Sequence, residues 1–112
     1  MKMTIFVFIL FACVTTNAAT VFYTGNDLAG LMREFDKGVQ GESSAVDWVM
    51  AREFSAYIVG VYDATRNNYT VNSNVTKGQI VLVVSKYIKD NPEKWNQPAD
   101  VLIKEALKIA FP

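Results

Sequence analysis

Proton transfer, nucleophilic attack and metal binding each need particular side chains, and this sequence is poor in them. It has no His and a single Cys, Cys13, in 112 residues. The usual zinc ligand sets, the Ser-His-Asp and Cys-His nucleophile systems and the commonest general base are thereby excluded. Carboxylates are what remains. Asp36, Glu53, Asp63 and Glu105 are spaced like an ordinary solvated helix face, and no spacing marks two of them as the facing pair that glycoside hydrolysis uses. Ser43-Ser44 and Ser85-Lys86 contain the residue types of a Ser-Lys dyad, but a helix cap and a Ser beside an exposed Lys explain them more simply. Gly25 and Gly30 do not sit between a strand and a helix, so no phosphate-cradling loop is formed. The sequence predicts no catalytic residue, no metal site and no cofactor.

Charge narrows the partners further. Eleven Lys and Arg balance eleven Asp and Glu, which leaves no excess of cations for a phosphate backbone, and nucleic acid is not an expected ligand. Asn68-Tyr69-Thr70 and Asn74-Val75-Thr76 match the N-glycosylation acceptor pattern, which matters only in a eukaryotic secretory pathway. An Asn-rich loop produces such matches by chance.

The elements that must position these residues begin after an address. Lys2 precedes the apolar run Ile5 to Val14, which is followed by small and polar Thr15-Thr16-Asn17-Ala18-Ala19. This is the order of a secretory signal peptide, and it predicts cleavage after Ala18 and export to the periplasm. The run is too short to span a bilayer, which takes about 20 apolar residues, and no later segment does better. Reading Leu10-Phe11-Ala12-Cys13 as a lipoprotein box, with a lipid anchor on Cys13, is disfavoured by the bulk of Phe11. A buried N-terminal helix or strand does not account for the order of charge, apolar run and small residues. Removing residues 1–18 leaves 94 residues, 19–112, as one domain with ten cations against eleven carboxylates. That domain has neither His nor Cys, so it must fold without disulfides.

Its periodicity is helical. Thr24-Gly25-Asn26 offers capping side chains before Leu28, Leu31, Met32, Phe35 and Val39 recur at spacings of three and four, with Gly38 and Gly41 closing the segment. Glu42-Ser43-Ser44 supplies the next cap, Asp47 favours the helix dipole, and Val46, Val49, Met50, Phe54, Tyr57, Ile58 and Val61 extend a stripe in which Gly60 suggests a close helix contact. Asp63 to Asn74 reads as a polar loop. Thr76 and Gln79 form a capping box ahead of Ile80, Val83, Val84, Tyr87 and Ile88, and Asn91-Pro92 stops that helix. The β-branched run Gln79 to Val84 also suits a strand, but the cap, the length and the terminating proline decide for helix. Pro98 suits the first turn of a last helix through Ala99, Leu102, Ala106, Ile109 and Ala110. The expected fold is all-α, a compact bundle or orthogonal array of about four helices. Trp48, Tyr57 and Tyr87 fall on apolar stripes and are expected in the core; Tyr69, in the polar loop, is expected to be exposed; Tyr62 and Trp95 stay open.

Against that helical frame the chain resembles a known family. The segment Ala56-Tyr57-Ile58-Val59-Gly60-Val61-Tyr62-Asp63, the polar loop, Val75-Thr76-Lys77-Gly78-Gln79, Val83 to Glu93, and Ala106-Leu107 with Phe111-Pro112 are similar to the Rap/Tai family. These are small exported all-helical immunity proteins that block peptidoglycan-cleaving amidase effectors of type VI secretion. The match runs over residues 45 to 112. It implies a periplasmic binding protein, a cognate amidase effector as partner and a homodimer. Family members commonly carry one Cys in the loop and another after the terminal Phe-Pro. Here the loop reads Tyr69-Thr70-Val71-Asn72 and the sequence closes on Pro112, so no such disulfide is expected, and about 2 to 4 kcal/mol of cross-link is forgone. Tyr57, Gly60, Asp63 and Gln79 match positions typical of the family, and their chemistry reads as architectural: Gly60 for helix approach, Gln79 for a cap, Asp63 for anchoring the loop, Tyr57 for packing with a polar tip. Occlusion of an enzyme cleft by a turn-stiffened loop makes Asn67, Asn68, Tyr69, Asn72 and Asn74 the expected contacts. Two alternatives stay open, a small helical periplasmic chaperone with broad clients and an enzyme built on two converging carboxylates.

Overall fold

The computed structural model describes residues 19–42 and 45–112. The expected signal peptide, Cys13 and the Ser43-Ser44 cap lie outside the described residues. Among the described residues there are four α-helices, α1 (Gly25–Val39), α2 (Trp48–Thr65), α3 (Lys77–Asp90) and α4 (Ala99–Ala110), with 3-10 turns at Arg66–Asn68 and Pro92–Lys94. The fold is all-α, as the periodicity requires, and the β-branched run of residues 79–84 is helical. No helix of the described residues is long and apolar enough to cross a membrane.

Local chemistry sets most of the boundaries. Thr24 and Asp27 close a capping box on α1, as Thr76 and Gln79 do on α3. At the end of α1, Gly41 has φ +79, the Glu42 amide reaches the Lys37 carbonyl at 3.0 Å and the Gly41 amide reaches Gly38 at 3.2 Å. That is a Schellman motif, and the left-handed residue it needs is most easily a glycine. The start of α2 corrects the sequence reading, because Asp47 itself is the N-cap, accepting from the amides of Val49 and Met50 at 3.1 and 3.2 Å. A tertiary contact selects it: the Asp47 amide donates to Glu34 of α1 at 2.9 Å. The other end of α2 corrects it again. The helix continues past Asp63 to Thr65, whose hydroxyl bonds back to the Val61 carbonyl at 2.7 Å, and only then does a 3-10 turn enter the loop.

The core lies among all four helices, where Leu28, Phe54, Ile58, Val84, Ile88, Leu102, Ile103 and Leu107 are fully buried. Each large apolar side chain removed from water there contributes about 1.5 to 3 kcal/mol. Phe35 and Phe54 pair across α1 and α2 with ring centroids 5.2 Å apart. A backbone clasp ties the two ends of the fold together: Gly25 and Asn26 donate to the carbonyls of Gln97 and Trp95, both at 2.8 Å, and Ala99 donates to Tyr23 at 3.0 Å. Trp95 seals it through its indole N–H on the Ile88 carbonyl at 2.8 Å. Trp48 is not core, since half of its surface remains accessible. Tyr57 and Tyr87 are half-buried.

Candidate functional site

Helix α2 has two working faces. Ala51, Phe54 and Ile58 enter the core. Arg52, Ser55, Ala56, Val59, Gly60 and Asp63, also spaced by three and four, line an open groove of ≈ 770 Å³. Its far wall is Lys77, Gly78 and Val81 of α3, and Phe35 and Trp48 also line it. A smaller hollow of ≈ 160 Å³ shares Val59, Asp63 and Lys77 with it and carries the concavity toward Val71 and Val75 of the loop. Most of these side chains are small, which is why the two helices leave room between them. Gly60 is the sharpest case, because a Cβ built there meets nothing within 4 Å. The expected close helix contact is therefore absent among the described residues, although glycine inside a helix costs about 1 kcal/mol relative to alanine.

The groove is also where the charges are left over. Lys37, Lys86, Lys89, Lys94 and Lys104 each pair with a carboxylate. Arg66 and Lys108 donate to the backbone carbonyls of Asp63 and Asn68, at 2.6 and 3.0 Å. Among the described residues Arg33, Arg52 and Lys77 have no such partner, and two of these three border the groove. Lys77 stands in the first turn of α3 and Asp63 near the end of α2, each at the terminus whose dipole disfavours its charge.

The loop beside the groove is tied to the end of α4 by two bonds and stiffened by a turn of its own. The Thr70 amide donates to the Phe111 carbonyl at 3.1 Å, Lys108 holds Asn68, and Asn72 accepts the Asn74 amide at 3.0 Å in an Asx turn. Tyr69 departs from expectation: it is half-buried, stacks on Tyr62 with centroids 6.2 Å apart and shares a 2.8 Å hydrogen bond with Thr65. Asn67, Asn68, Asn72 and Asn74 are exposed.

With that geometry in hand, the comparisons with known proteins are decisive. A model of the Rap1a immunity proteins matches residues 24–112, all four helices and both 3-10 turns. The chain belongs to the Rap1a immunity protein family. No curated protein matches it. Membership assigns an immunity function against a secreted effector, exercised by binding that effector.

For a Rap1a immunity protein the carboxylates fall into place as framework. Asp36 bonds Lys89 at 2.9 Å and Ser85 at 3.3 Å, which ties α1 to α3. Glu105 accepts from the Tyr87 hydroxyl at 2.8 Å, and Lys94, which bonds the same hydroxyl at 3.0 Å, is held protonated to higher pH by it. Glu53 accepts a hydrogen bond from the Tyr23 hydroxyl, a bond that raises the Tyr23 pKa, with the charge of Glu53 adding to it. Tyr57 packs against Tyr23 with centroids 5.0 Å apart, and burial pushes its hydroxyl up, aided by Asp100. Of the four carboxylates singled out from the sequence only Asp63 reaches the groove, where its side chain is exposed and its carbonyl anchors Arg66. Gln79 is the helix cap that the sequence predicted. The groove-lining stripe of α2 was visible in the sequence as a second three-four repeat. A reading led by large apolar residues gives its small side chains no weight.

Proposed function

We propose that this Rap1a protein is the periplasmic immunity partner of a type VI secretion peptidoglycan amidase, and that it neutralises the enzyme by occluding its active-site cleft. Membership of the immunity family over residues 24–112 carries the reading, and the resemblance of residues 45 to 112 supplies the amidase and the compartment. Inhibition by shape asks for no chemistry of the inhibitor, which agrees with a chain that lacks His and, after residue 18, lacks Cys. The exposed Asn67, Asn68, Asn72 and Asn74 are the contacts on the loop. Tyr69 supports them from beneath by its stack on Tyr62 and its bond to Thr65. A loop pinned to Phe111 and Lys108 before binding loses little conformational freedom on docking, so more of the contact energy remains as affinity. Tight inhibition buries about 800 Å² on each partner. A homodimer would present two such loops on one assembly. The test is co-purification with the amidase encoded beside it and a peptidoglycan cleavage assay. Equimolar protein is expected to stop cleavage, and undiminished cleavage with no complex would refute the assignment.

A further inference from the structure

We propose that the α2–α3 groove is a second docking surface for the effector, and that it receives an amphipathic helical segment with an apolar stripe and a carboxylate that meets Arg52. This rests on the effector-binding reading above and adds to it the place and the chemistry of a contact that the loop does not make.

Three observations carry it. The groove is apolar at its floor, with Phe35, Val59 and Val81, and Trp48 beside it is half exposed. Its walls are small where a partner backbone would come closest: Gly60 has nothing within 4 Å of a built Cβ, and Gly78 has only the Thr76 hydroxyl at 3.8 Å. Gly60, which weakens its own helix and meets nothing among the described residues, and Gly78, which meets only that hydroxyl, leave room for something outside the chain. Finally, Arg52 and Lys77 have no carboxylate partner among the described residues, while five lysines elsewhere do. Asp63, the single carboxylate of the groove, sits eleven residues from Arg52 along α2, about 16 Å at 1.5 Å per residue, and so shares its end with Lys77. The Arg52 end thus calls for an acid from the partner.

Length and shape select the occupant. About 16 Å between two helices accommodates about three turns of a third helix, and among the described residues there is no sheet edge to which an extended peptide could add. A dyad passing through the groove would face one concavity with another and leave the space between them empty, so a second copy of this chain does not fill it.

The experiment measures the affinity of the purified protein for the effector encoded beside it, for the wild type and for Gly60→Leu, Arg52→Glu and Gly30→Ala. Gly30 lies on α1 with nothing within 4 Å of a built Cβ and outside the groove, which makes it the control. Gly60→Leu and Arg52→Glu are each expected to raise Kd tenfold or more, with melting temperatures no lower than wild type and with Gly30→Ala binding as wild type does. Kd within twofold of wild type for Gly60→Leu overturns the groove, and the same result for Arg52→Glu alone overturns the acidic partner. If sedimentation shows that the variants break a dimer while effector affinity is unchanged, the groove is a contact between copies and the proposal falls. Failure of the wild type itself to bind the effector is a different result, which removes the functional reading and this one with it.

Discussion

Replacing glycines one at a time separates those the fold needs from those it does not. At Gly25 a Cβ would stand 2.6 Å from the Trp95 Cα and 2.8 Å from its carbonyl oxygen, against about 3.4 Å for ordinary contact. Backbone cannot swing aside, so Gly25→Ala must push the start of α1 away from Trp95 and stretch the 2.8 Å bonds of Gly25 and Asn26. Overpacking of this kind costs about 1 to 3 kcal/mol. At Gly60, deep inside an 18-residue helix and open to solvent, alanine meets nothing. The change should stabilise by about 0.8 to 1 kcal/mol from helix propensity alone. In a domain of under about 100 residues 1 kcal/mol moves Tm by about 4 to 8 °C, so the two variants should melt on opposite sides of wild type. Urea and thermal unfolding followed by far-UV circular dichroism read the difference. A Gly60→Ala protein that melts below wild type would mean that α2 packs there against something within the chain, and the open groove would be refuted.

Other perturbations probe the core and the charges. Phe54→Ala removes a fully buried ring that pairs with Phe35 and should lower unfolding free energy by about 3 to 5 kcal/mol, measured by urea titration. Glu34, bonded to Lys37 and to the Asp47 amide, is held below its ordinary pKa of 4.5, so its contribution is complete above that value and is lost as pH falls through the lower folded-state value. Glu34→Gln should flatten the acid side of the stability profile below about pH 4.5. Tyr23 is raised above 10.0 by its bond to Glu53, and the sign reverses: the contribution is complete below 10.0 and disappears as pH rises through the folded-state value. Tyr23→Phe should therefore lose stability at neutral pH and show a flatter alkaline limb, while an unchanged limb would count against the bond.

What the sequence made legible was whatever local chemistry decides. The Thr76–Gln79 box, the Asn91-Pro92 stop and the alternation of three and four placed α3 as a helix against a β-branched run, because a cap and a breaker act within a few residues. The start of α2 was less accessible, since Glu34, thirteen residues away, helps to hold Asp47 as its cap. Tyr69 was misplaced for the same reason: its neighbours in sequence are polar, but its ring is claimed by Tyr62 and its hydroxyl by Thr65. Gly60 is the instructive reversal. A glycine inside an apolar stripe signals close approach, but among the described residues nothing comes within 4 Å of a Cβ built there.

The loop shows what hydrogen bonds must do where no cross-link is present. Residues 19–112 contain no Cys, yet Thr70 is tied to Phe111 and Asn68 to Lys108, so the loop meets the end of α4 through two bonds. Each contributes about 0.5 to 1.5 kcal/mol net, and together they fall near the lower end of the 2 to 4 kcal/mol of a disulfide. Unlike a disulfide they act on the folded state and can open locally without global unfolding. The Thr70 amide should then exchange with solvent through an opening that requires less free energy than the unfolding of α3 or α4. Lys108→Ala should quicken that exchange by about threefold to tenfold, the equivalent of the lost bond at 1.4 kcal/mol per factor of ten. It should leave the amides of Val84 and Ile103, buried in the core, unchanged. If Thr70 is instead protected as strongly as Ile103, and Lys108→Ala alters both alike, loop and core open as one unit and the loop is part of the cooperative fold. A loop that opens by itself keeps its tethers in the free protein and can yield them on docking. Effector binding should then slow exchange at Thr70 if the loop is held in the complex, and quicken it if the tethers break, and the direction of that change distinguishes a rigid plug from an adaptive one.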